Sequence, residues 1–66
     1  MNITLNGQAR DVEAGTTIGK VVDLVTTDRQ RIAVERNLAI VKRDHYDDTT
    51  IEEGDVIEVV TLVGGG

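Results

Sequence analysis

The chemistry in this sequence gathers at its end, where Gly64, Gly65 and Gly66 follow a β-branched, apolar run. A glycine triplet carries no side chain to obstruct a narrow slot, and three extended residues reach about 10 Å beyond Val63. The group such a leash presents is the Gly66 α-carboxylate. With an ordinary pKa of about 3.3–3.7 it is ionised at neutral pH and a poor electrophile, so it must be activated before it reacts. Activation by ATP yields an acyl-adenylate, which a sulfur or nitrogen nucleophile opens to a thiocarboxylate, a thioester or an amide. The competing reading is that the triplet is an inert, disordered end.

Little else in the chain could perform catalysis. There is no Cys, no Ser and no Pro, and a single His. This excludes a disulfide framework, a zinc ribbon, an iron–sulfur cluster and a cysteine nucleophile. His45 stands among Asp44, Asp47 and Asp48, but no second His or Cys supports a metal, and the acids lack the spacing of a calcium loop. It reads as a solvated surface residue, as do Glu52, Glu53 and Asp55 in their charge run. Arg36 and Arg43 are open to pairing with acids or with a partner. No nucleophile–base pair can be assembled, so the expectation is a co-substrate for another catalyst and not an enzyme.

Charge narrows the partners. Seven Lys and Arg against 12 Asp and Glu give a net charge of −5, all of it in residues 34–66. Such a chain is a poor match for a phosphate backbone, so no nucleic-acid partner is expected. The acidic half could steer a basic protein partner or could simply keep the chain soluble. Apolar runs such as Leu38-Ala39-Ile40-Val41 are too short for a membrane span or a signal-peptide core, which points to the cytoplasm and away from membranes.

The elements that must position the tail follow from periodicity. Asn2-Ile3-Thr4-Leu5 alternates as a strand with one buried face, and Asn6-Gly7 supplies the two positive-φ positions of a tight hairpin turn. Residues 8–13 return as a weaker strand. After Ala14-Gly15, Thr16 or Thr17 caps a helix of roughly ten residues whose stripe is Ile18, Val21, Val22 and Val25. Ile32 and Val34 alternate in a third strand, and residues 38–41 form a short buried segment. Residues 43–50 make a polar loop or short helical turn that Tyr46 anchors to the core. Glu53-Gly54-Asp55 turns the chain into its longest strand, residues 56–63. The predicted fold is α+β: a mixed sheet of four to five strands, with the last beside the first in the middle and one main helix across one face. That arrangement is a ubiquitin-like β-grasp, with residues 1–63 as the domain and 64–66 as a flexible glycine tail.

Those pieces, in that order and ending in Gly-Gly, resemble the ThiS family of thiamine-biosynthesis sulfur carriers. The matching segments are Asn6-Gly7, Gly15-Thr16-Thr17-Ile18, Val34-Glu35-Arg36-Asn37, Ile40-Val41-Lys42-Arg43, Gly54-Asp55 and Leu62-Val63-Gly64-Gly65-Gly66. Tyr46 sits where the family often has Trp. The resemblance implies that a ThiF-like adenylating enzyme, using ATP and magnesium, activates the Gly66 carboxylate. Gly64 and Gly65 then lie inserted in the partner. A sulfur donor protein supplies persulfide sulfur, leaving a thiocarboxylate that a ThiG-like thiazole synthase consumes. The carrier itself binds no cofactor. Related carriers for molybdopterin or cysteine synthesis would use the same Gly66 chemistry, and a non-covalent β-grasp interaction module with an inert tail is the rival of a different class.

Strand geometry offers a partner surface. Along the last strand Ile57 and Val59 share one side with Thr61 and Val63, while Val56, Glu58, Val60 and Leu62 share the other. A helix needs an uncharged face to bury its stripe, and Glu58 resists unpaired burial. Val60 and Leu62 are therefore predicted to face outward with Glu58, as a docking patch next to the reactive tail. Two exposed aliphatic residues without a role are the alternative.

Overall fold

The computed structural model describes residues 1–62. Val63 and the predicted tail, Gly64, Gly65 and Gly66, lie outside the described residues. Strands β1 (Asn2–Leu5) and β2 (Gln8–Asp11) form the first hairpin, and α1 (Ile18–Val25) follows. A 3₁₀ turn at Arg29–Arg31 leads into β3 (Ile32–Arg36) and β4 (Ala39–Val41), and a second at Arg43–His45 precedes β5 (Val56–Thr61). The sheet order is β2-β1-β5-β3-β4. β5 occupies the centre, parallel to β1 and antiparallel to β3. This is the predicted mixed sheet with one helix.

Local chemistry explains each boundary. Asn6 and Gly7 take φ of 50° and 81°, the left-handed pair that a two-residue hairpin needs. Thr17 caps α1, its side-chain oxygen accepting from the Lys20 N–H at 3.2 Å. The N–H groups of Ile18 and Gly19 donate to the carbonyls of Thr49 and Tyr46, each at 2.9 Å, so a loop closes the helix start. Gly19 permits this approach, because a Cβ there would collide with the Asp47 carboxylate. Arg29 bonds both Asp23 on α1 and Asp47 on the loop, and it holds the Asp47 carboxyl below its ordinary range. A short β-branched helix of modest propensity is thus fixed by its surroundings.

Ile18, Val21 and Val22 bury against Ile3, Leu5, Val34 and Ile57 of the sheet. Each such side chain contributes about 1.5–3 kcal/mol of burial. Tyr46 is 1% exposed and belongs to the same cluster, as its anchoring role requires. Val25, expected in the stripe, is largely exposed. α1 spans eight residues and stops at Val25, because Thr26 turns to extended backbone and leaves this last position beyond the packed face.

Two further expectations fail for identifiable reasons. Residues 38–41 are not a buried segment: Leu38 is 92% and Ile40 68% exposed. Asn37 and Leu38 take φ of 51° and 72° to turn the chain, which makes β4 an edge strand with one neighbour and little cover. Asp55 is not solvated but 5% exposed. Its carboxylate accepts from Arg36 Nε at 2.8 Å, Asn37 Nδ2 at 3.0 Å and the Glu52 N–H at 2.9 Å. Asn37 also accepts from the Val56 N–H at 2.9 Å, tying the β3–β4 turn to the start of β5.

Burial alone would raise the Asp55 carboxyl, but the Glu52 N–H, the Asn37 amide and the Arg36 guanidinium together outweigh it and hold the group below its ordinary range. A carboxyl depressed by folding stabilises above its unfolded pKa of about 3.9 and loses that contribution as pH falls through the folded value. We expect Asp55→Asn to cost about 2–3 kcal/mol at neutral pH. Its melting temperature should approach that of the parent protein in acid. Parallel pH profiles for the two proteins would contradict this assignment.

Candidate functional site

The site is built on β5, because the chain leaves the sheet along it toward the glycine triplet. β5 is held from both sides. The Asn6 N–H donates to the Ile57 carbonyl at 3.0 Å, Asn6 Oδ1 accepts from the Val59 N–H at 2.8 Å, and the Leu62 N–H donates to the Arg31 carbonyl at 2.7 Å. Ladder bonding therefore persists one residue past Thr61. The covalent route to the triplet starts from a strand fixed in the middle of a sheet.

Alternation along β5 sorts its side chains as predicted for the core. Ile57 and Val59 are buried beneath α1, and Val56, Glu58, Val60 and Leu62 face outward. Val60 is 46% and Leu62 48% exposed. Thr61, which shares the inner side, is also exposed.

The register extends this surface further than the sequence alone indicates. Val60 stands opposite Ala33 and Glu58 opposite Glu35 on β3, while Ile40 on β4 stands opposite Glu35 from the other side. Glu35 and Ile40 were not among the expected site residues. Their strand alternation was readable, but which β5 residue each would meet depends on a long-range register. The outer face is thus an apolar field of Val56, Val60, Leu62 and Ile40 around two carboxylates.

The remaining candidates do not assemble into a reactive centre. An open groove runs beside β4, lined in part by Arg36, Asn37, Lys42 and His45. It lies toward the Ile57 end of β5, since Arg36 pairs with Ile57, and so away from Leu62. Arg36 is committed to Asp55, and Arg43 donates to the carbonyls of Arg29 and Gln30. Among the described residues no three His, Cys, Asp or Glu side chains come together as metal ligands. No helix among them is long and apolar enough to cross a membrane. The expected reactive group, the Gly66 carboxylate, lies outside the described residues together with Gly64 and Gly65.

Comparison with known proteins places this arrangement. The model of the ThiS family matches residues 3–66. The sulfur carrier protein ThiS of Bacillus subtilis is 34% identical over 67 aligned positions, covering 97% of this chain and 98% of that protein. The crystal structure of a thiamine biosynthesis protein, ThiS, from Geobacter metallireducens superposes with a TM-score of 0.83 at 30% identity, covering 100% of both chains. A thiazole synthase of Magnetococcus marinus is 42% identical across the whole chain, which spans 20% of that enzyme's length.

Proposed function

Since the chain belongs to the ThiS family of sulfur carriers, we propose that the Gly66 α-carboxylate is the group it loads and surrenders. The family match runs through residue 66 and takes in the glycine triplet, and this observation carries the reading. A carboxylate oxygen attacks the α-phosphorus of ATP on a ThiF-like adenylating enzyme, releasing pyrophosphate. Magnesium on that enzyme neutralises the phosphates. A persulfide on a sulfur donor protein then attacks the acyl carbon and expels AMP. Cleavage of the resulting acyl disulfide by a thiol leaves the thiocarboxylate. Sulfur is a stronger nucleophile than the oxygen it replaces, which suits the loaded end for attack on an electrophilic intermediate of thiazole assembly. The similarity to part of a thiazole synthase supports an enzyme of that kind as the recipient.

Each step is catalysed elsewhere, and this chain contributes the acyl group and its presentation. Gly64 and Gly65 enter the partner's slot, and Glu58, Val60 and Leu62 dock beside it. The test is intact-mass measurement after incubation with the adenylating enzyme, ATP, magnesium and a persulfide donor. The oxygen-to-sulfur increment at the C-terminus is expected. An unchanged mass with an enzyme of demonstrated activity would instead identify an inert interaction module.

The docking role has its own test. Val60→Asp and Leu62→Asp each place a charge at a half-exposed site, so melting temperatures should stay near that of the parent protein. Adenylation, followed by pyrophosphate release at limiting carrier, should slow by about tenfold or more, as expected for an interface anchor. A normal rate for both variants would remove these residues from the interface.

A further inference from the structure

On the outer sheet face, Glu35 stands directly opposite Glu58 in the β3–β5 ladder. The Asn37 N–H donates to the Val56 carbonyl and the Leu62 N–H to the Arg31 carbonyl, at 2.8 and 2.7 Å. Those bonds set the phase of the ladder, so Glu35 and Glu58 form a closely bonded pair with Cα atoms about 5.5 Å apart. Like charges in that position destabilise a sheet. Neither carboxylate joins an ion pair among the described residues. Arg31 is committed to Asp28 and Arg36 to Asp55 and Glu52, and Lys42, two residues beyond Ile40, joins no ion pair among the described residues.

The flanks of the pair are apolar. Ile40 stands across from Glu35 on β4, and Val60 lies two residues along β5 from Glu58. An apolar field with two carboxylates outside any ion pair at its middle, and Lys42 at its rim, is complementary to a cation set among apolar side chains.

We propose that this row docks the adenylating enzyme through a single arginine, seated between the Glu35 and Glu58 carboxylates with its apolar neighbours against Ile40 and Val60. A guanidinium presents five donors in a rigid plane, so one side chain can bond both carboxylates and cancel their repulsion. The choice of partner rests on the sulfur-carrier reading. The inference extends the contact from β5 across β3 to β4. The docking face then includes β5, the last strand before the triplet in the sequence.

The repulsion in the free protein makes the test distinctive, because stability and binding should move in opposite directions. Glu35→Gln/Glu58→Gln should melt about 1–5 °C higher than the parent protein. It should bind the ThiF-like enzyme about tenfold or more weakly by calorimetry without ATP. Glu13→Gln/Asp44→Asn removes the same charge away from this face and should bind as the parent does. Binding of the parent should weaken as salt rises. Equal affinities for the Glu35/Glu58 variant and the parent, equal losses in both double variants, or no binding by the parent would each overturn the proposal. Sulfur loading of the parent, read separately by mass, decides the carrier reading whichever way the binding falls.

Discussion

A chain extended by one alanine after Gly66 should take up no sulfur from a competent adenylating enzyme, and its mass should stay unchanged. The extension converts the Gly66 carboxylate into an amide and moves the new carboxylate about 3.5 Å farther along the chain. A misplacement of about 1 Å can cost on the order of 10²-fold in rate, and the added methyl group must also enter a slot shaped for glycine. The folded body is unaffected, because the change lies beyond the ladder that ends at Leu62. Melting temperature and enzyme binding therefore serve as internal controls. Full loading of the extended chain, with the alanine still in place by mass, would overturn the assignment of Gly66.

Tyr46→Ala is expected to produce the largest loss of stability. Tyr46 is the largest fully buried side chain and the only aromatic residue in the protein. Replacing a buried aromatic by alanine costs about 3–5 kcal/mol, whereas a domain of this size holds roughly 3–10 kcal/mol in total. The same loop carries the carbonyls that satisfy the N–H groups of Ile18 and Gly19. Its loosening should fray the start of α1 as well. Circular dichroism should show a strongly lowered melting temperature or a substantially unfolded population. Tyr46→Phe, which keeps the ring, should remain within about 1 kcal/mol of the parent protein. An alanine variant that melts within a few degrees of the parent would show that the loop does not depend on this anchor.

Where periodicity and turn chemistry act locally, the sequence was a good guide. The first hairpin followed from Asn6-Gly7, the helix stripe from the spacing of Ile18, Val21 and Val22, and the face of β5 from the position of Glu58. The central place of the last strand followed from the order of elements. Two misreadings share a cause. Leu38 and Ile40 are apolar residues on an edge, and Asp55 is an acid in the interior. In each case the environment is set by contacts distant in sequence, which composition does not encode. Asn37 held a clue to both. It is a residue tolerant of positive φ that marks the turn, and it also bonds Asp55 across 18 positions. The expected contact residues Glu58 and Val60 lacked their companions Glu35 and Ile40 for the same reason, since cross-strand register is a long-range property.

The central seat of β5 also bears on how the molecule responds to a pull. Tension drawn from its Leu62 end runs along the strand axis, with β1 on one flank and β3 on the other. Hydrogen bonds perpendicular or slanted to that axis are then sheared together instead of opening one after another, as they would if an edge strand were peeled away. A fold pulled from that end of β5 is thereby built to resist unravelling.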